Sequence, residues 1–118
     1  MRPRITITNP PSSDSIALGI QPIVIPAGQT VTVDEFPNDS FISAQYNARL
    51  YNETEDKFVN WTMDVLRKTS MPDFALYGIM GDNMSRAVTV NLSGPNVVVQ
   101  IENKEAYDMT FAAFKFIY

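Results

Sequence analysis

The ionisable side chains of this 118-residue sequence are thirteen Asp and Glu, nine Lys and Arg, and five Tyr; there is no His and no Cys. Without His the commonest general base and zinc ligand is missing. Without Cys, disulfides and thiolate metal sites are excluded. Ser-His, Cys-His and His-metal centres therefore cannot be built from these residues. Paired carboxylates could still hydrolyse a glycoside, because the two acids can come from distant strands, but no spacing selects a pair. We expect no enzyme activity, no catalytic residue and no cofactor.

The acidic clusters Asp34-Glu35 and Glu53, Glu55, Asp56 match no calcium-loop spacing, which needs several oxygens converging from a structured loop. They read as solvated turns, with no metal site. Trp61 could stack a sugar ring, but its neighbours at two-residue spacing, Val59, Met63 and Val65, are apolar and point to a core position. Tyr51, Tyr77 and Tyr107 lie nearer turns and are better candidates for exposed aromatics. Asn-x-Ser/Thr occurs at Asn38, Asn52, Asn60, Asn83 and Asn91. Residues two apart share one face of a strand, so polar alternation alone generates such triplets.

The net charge is −4, and Arg67-Lys68 is the only adjacent basic pair. Phosphate binding wants clustered cations, so nucleic acid is not an expected partner. No apolar run approaches a membrane span, and the opening MRPRITITNPP lacks the apolar core of a secretory signal. Synthesis in a cytoplasm and no membrane partner are expected.

The length suits one domain. Six of the eight prolines, Pro3, Pro10, Pro11, Pro22, Pro26 and Pro37, crowd the first third. Proline lacks an amide donor and favours turns, edges and strand starts. Residues 1–28 read as an extended arm with short edge strands at Arg4–Thr8 and Ser15–Leu18, and residues 29–118 as the main domain.

Period-2 alternation then dominates. Val31 and Val33 share a face. So do Ile42, Ala44, Tyr46, Ala48 and Leu50, and then Val59, Trp61, Met63 and Val65. Phe74–Met80 is interrupted by Gly78, which suggests a bulge. Val88, Val90 and Leu92 face inward, as do Val97, Val99 and Ile101. About eight to ten strands with regular turns indicate an antiparallel β-sandwich, all-β, of jelly-roll or immunoglobulin-like order.

The final stretch DMTFAAFKFIY divides Met109, Phe111 and Ala113 from Phe114, Phe116 and Tyr118. Either a bulge at Ala112-Ala113 returns all the aromatics to one core, or one set packs on another subunit. We expect an interface made by Phe111, Phe114, Phe116 and Tyr118, with Arg2, Arg4, Ile5 and Ile7 of the arm adding a strand to a neighbour's edge.

The order of ITITN, IPAGQTVTV, FVNWTMDV, FALYGIMG, AVTVNLSGPNVVVQIEN and the aromatic last strand resembles small all-β accessory proteins of tailed-phage virions. The likeness is best over residues 58–118. It implies a virion location and a structural role. The foremost expectation is a decoration or cement protein that bridges neighbouring copies of the major capsid protein, often as a homotrimer. A glycan-binding fibre-tip or carbohydrate-binding module is the alternative. Its site would lie at the loops 51–57, 69–73 and 81–86.

Overall fold

The computed structural model describes residues 16–118. The expected strand Arg4–Thr8, and with it Arg2, Arg4, Ile5 and Ile7, lies outside them. The described chain forms β1 (Ile16–Ile25), β2 (Thr30–Pro37), a 3-10 turn (Asn38–Ser40), β3 (Ser43–Asn52), β4 (Lys57–Leu66), β5 (Asp73–Gly81), β6 (Arg86–Ser93), β7 (Asn96–Asn103) and β8 (Met109–Ile117). Five strands in the order β1-β8-β3-β4-β5 make one sheet, and β2-β7-β6 make the other. Every pairing is antiparallel. The architecture is the expected β-sandwich. Pairing β1 with β8 in one sheet and β2 with β7 in the other gives the nested wrapping of a jelly roll. The β3-β4-β5 meander widens the first sheet.

Alternation decides the inner faces. Tyr46, Ala48 and Leu50 on β3, and Val59, Trp61, Met63 and Val65 on β4, are buried. Opposite them lie Val97, Val99 and Ile101 of β7 and Val90 of β6, with Val88 and Leu92 partly buried against the same core. Each fully buried aliphatic side chain contributes roughly 1.5–3 kcal/mol relative to exposure.

At the start of β3 the expected pattern fails. Ile42 is 68 % exposed, and Phe41 takes the inward place at 3 %. The strand begins only at Ser43, so the preceding 3-10 turn and bend set the direction of both side chains. Phe41 then packs edge-on against Phe36, with ring centroids 4.9 Å apart.

Three irregularities adjust the sheets. The β1–β8 register shifts between Ile20 and Ile23, around Pro22. A proline without an amide donor is tolerated at such an edge-strand bulge. The boundary expected between residues 28 and 29 falls in the turn after β1. The described part of the expected arm is thus an edge strand of this chain's own sheet, and its Ile25 is fully buried. The β2–β7 register shifts between Thr32 and Asp34, so Val33 and Phe36, three apart, both reach the core. The third shift, between Asn60 and Thr62, lies opposite Gly78, whose φ of +64° suits glycine.

The β2 bulge also carries Asp34 into the space between the sheets. Its Oδ2 lies 2.7 Å from Lys115 Nζ and accepts a 2.6 Å hydrogen bond from Tyr46 Oη. Lys115, 3 % exposed, sits with its ammonium 3.8 Å from the Phe36 ring centroid. Asp34 is therefore not part of a solvated turn. It joins β2 of one sheet to β3 and β8 of the other. The Tyr46 phenol is held well above its ordinary value, first by burial and then by the charge of Asp34 and its hydrogen bond.

A second buried polar group closes the sandwich where β7 ends. Asn103 is fully buried. Its Nδ2 donates to the carbonyls of Ile25 (2.9 Å) and Tyr107 (2.8 Å), and its Oδ1 accepts from the Glu105 amide at 2.8 Å. This one side chain ties β1 to the turn that leads into β8.

Candidate functional site

β8 keeps strict alternation along its whole length: Met109, Phe111, Ala113, Lys115 and Ile117 point inward. Its register with β3 is continuous from Ala44–Ile117 to Tyr51–Thr110, so no bulge switches its face. The aromatics are therefore divided. Phe111 is 2 % exposed and packs near Trp61 in the core, with ring centroids 6.4 Å apart, so it belongs to no outer surface. Phe114 is 59 % exposed, Tyr118 is exposed and Phe116 half-buried, all on the outer face of the five-stranded sheet.

The registers build that outer face as a set of rungs. One runs from Gly19 of β1 through Phe114, Asn47 and Thr62 to Tyr77 of β5. The rung on one side runs Ala112, Arg49, Asn60, Met80. The rung on the other runs Phe116, Gln45, Asp64, Ala75. Along the first two of these rungs lies an open trough of about 560 Å3, lined by residues of all five strands. Glycine at positions 19 and 78, near its two ends, leaves the walls low there.

The polar groups of these rungs differ in what they already bind. Gln45 Nε2 donates to Asp64 Oδ1 (3.1 Å) and to Tyr77 Oη (3.2 Å), while Tyr77 Oη donates to Asp64 Oδ2 (3.0 Å). This closed ring holds Tyr77 over the β4–β5 side. Desolvation, and then the Asp64 hydrogen bond and charge, push its phenol above the ordinary value. Arg49 Nε makes a long 3.4 Å bond to Asn60 Oδ1. Beyond the trough, Tyr51 and Phe58 stack across β3 and β4 at 6.2 Å.

A different surface caps the strand ends at the other side of Phe116. Ile42, Leu66 (50 %) and Tyr118 (46 %) are exposed there. Their backbones are tied: the Ile42 amide donates to the Tyr118 carbonyl at 2.7 Å, and the Arg67 amide to the Ile42 carbonyl at 3.0 Å. The result is an apolar end that includes two of the expected interface residues, Phe116 and Tyr118. Sequence reading missed Ile42 because it was assigned inward.

The loops expected to hold a glycan do not form one site. The turn near residues 69–73 joins the far ends of β4 and β5, whereas the loops near 52–57 and 81–86 meet at the other end, where Asp82 Oδ2 accepts from the Phe58 amide at 2.9 Å. Glu53, Glu55 and Asp56 are exposed, as expected for a turn, and among the described residues no acidic group has a metal-binding arrangement. Trp61 is a core residue, with the Arg86 guanidinium 4.8 Å from its ring centroid. Burial lowers the Arg86 pKa from its ordinary value.

No protein-family model and no curated protein matches this sequence. Among solved structures, the fold is similar to part of the Acinetobacter baumannii phage AM24 tailspike protein. The TM-score is 0.54 and the identity 8 %, over 87 % of this chain and 26 % of that one. The chain thus spans about a quarter of the tailspike's length, and the likeness is one of fold.

Proposed function

We propose that this chain is a non-enzymatic structural protein of a phage virion that docks on a neighbouring virion protein. The observation that carries this reading is the recurrence of its fold, over most of its length, within a phage tailspike. The apolar end formed by Ile42, Leu66, Phe116 and Tyr118 supplies a surface whose burial would drive docking. Decoration of a capsid, bridging copies of the major capsid protein, is the specific role favoured by the sequence. A place in the tail is the role favoured by the fold likeness. Many equivalent copies would make individually weak contacts collectively strong. Self-association as a trimer belongs to the same proposal. The absence of His and Cys suits a part that performs no chemistry.

Immunogold labelling of particles from a producing lysate tests the reading. Label over the shell supports decoration, and label at the tail supports a spike or fibre component. Particles without label, alongside abundant free protein, overturn the virion role. Light scattering across a dilution series separately tests the trimer.

A further inference from the structure

We propose that the trough across the outer face of the five-stranded sheet binds an extended oligosaccharide. Its rings would lie against Phe114, and its hydroxyls would bond to Asn47, Arg49, Asn60 and Thr62. Four properties of the trough lead to this ligand class.

The first is chemistry. A sugar chain alternates hydroxyls, which donate and accept, with apolar C–H faces. The central rungs offer two side-chain amides, a hydroxyl and a guanidinium, which together donate and accept, beside an exposed Phe. An aromatic ring presents flat apolar surface at little conformational cost.

The second is hydrogen-bonding capacity. Gln45, Asp64 and Tyr77 satisfy one another in a closed ring. By contrast, among the described residues Asn47, Thr62 and the Arg49 terminal nitrogens make no protein hydrogen bond, and Asn60 makes only the long one through its Oδ1. Among the described residues, these donors and acceptors at the trough have no other partner.

The third is shape. The trough crosses all five strands, a span of about 19 Å at a strand spacing of about 4.8 Å. Its volume of about 560 Å3 falls within the usual range for ligand sites. With glycine near both ends it is open at its ends, so a chain can continue beyond the site. The fourth concerns a protein partner: the centre of a protein interface is enriched in large apolar anchors, whereas among the described residues that line this trough only Phe114 is a large, exposed apolar side chain. A separate apolar surface lies at the Ile42–Leu66–Tyr118 end.

The inference does not rest on a virion location. The test uses the full chain on an array of defined bacterial capsular and lipopolysaccharide oligosaccharides, with calorimetric titration of each hit. Wild type is expected to bind one or more of them. The Asn47→Ala, Thr62→Ala double variant should weaken binding about tenfold or more, and Phe114→Ala should weaken it as well. Ile42→Ser, at the apolar end, should leave affinity unchanged. Melting curves establish that each variant is folded, and shifts of the Asn47 and Asn60 side-chain amide signals on titration read the site without mutation. An array without hits for folded wild type overturns the proposal. So does binding that Asn47→Ala, Thr62→Ala leaves unchanged, or a virion protein captured through Asn47 and Thr62 in place of a sugar.

Discussion

Lys115 Nζ lies 2.7 Å from Asp34 Oδ2, across the gap between two sheets that meet mainly through apolar side chains. Removing one member of a buried pair leaves the other charge uncompensated, at a cost of about 3–5 kcal/mol. Lys115→Met is therefore expected to be destabilising on that order. Lys115→Met with Asp34→Asn, which keeps an acceptor for Tyr46 Oη, should recover much of the loss. Urea unfolding of the two single variants and the double variant measures the coupling. Strictly additive losses would show that the pair is not coupled.

Tyr46 gives the same cluster a pH dependence. Its folded-state pKa is raised above the ordinary value of 10, so the folded protein holds this proton more tightly than the unfolded chain. The stabilisation is fully present below pH 10 and is lost as pH rises above it. The unfolding free energy of wild type should fall with pH above about 10. Tyr46→Phe should show a shallower decline over the same range. Urea titrations from pH 8 to 11 would decide it, and identical slopes would count against a raised Tyr46 pKa.

Asn103→Ala should cost about 3 kcal/mol, because two carbonyls and an amide lose their partner in a buried setting. Asn103→Asp should be no better. A carboxylate cannot donate to the Ile25 and Tyr107 carbonyls. Thermal melting checks both, and a tolerated Asp would mean that this junction is wetter than its burial indicates.

Glycine 81 should resist replacement far more than glycine 78. A Cβ at Gly81, where φ is +117°, would sit against the Phe58 carbonyl oxygen, whereas at Gly78 the nearest atom is Thr62 Oγ1 at 3.9 Å. Gly78→Ala carries mainly the positive-φ penalty, about 1 kcal/mol. Gly81→Ala must also displace backbone of β4. Comparable melting temperatures for the two variants would contradict this geometry.

At the apolar end, Ile42→Ser and Leu66→Ser should change stability by less than about 0.5 kcal/mol, as is usual for exposed positions. In a particle-binding assay both should weaken association. Loss of binding without loss of stability would identify the end as a docking surface, and unchanged binding would remove it from consideration.

Most of the sandwich was legible because alternation is a local property. Val59, Trp61, Met63 and Val65 needed only their spacing to be placed inside. The failures occur where one residue changes the phase. Phe41 and Ile42 are both apolar, so composition could not say which points inward once a 3-10 turn precedes the strand. Asp34 looked like a turn residue. A bulge decided otherwise, and its partner lay 81 positions away at Lys115. A clue was present: Lys115 shares the phase of Phe111, Ala113 and Ile117, which calls for an acid across the core. The trough was harder to see. Asn47, Asn60, Thr62 and Phe114 are ordinary outward residues on separate strands, and only the pairing registers bring them side by side.

β8, the last strand along the chain, lies between β1 and β3 in the sheet. During synthesis both flanking strands emerge long before residues 109–117 do, and each keeps an unpaired edge until then. β3, β4 and β5 can pair before then, as can β2, β7 and β6, but among the described strands β1 has β8 alone as its partner, so the five-stranded sheet becomes continuous only when β8 inserts. Closure of the five-stranded sheet thus depends on β8, and a nascent chain that stalls before it leaves β1 without a place in that sheet.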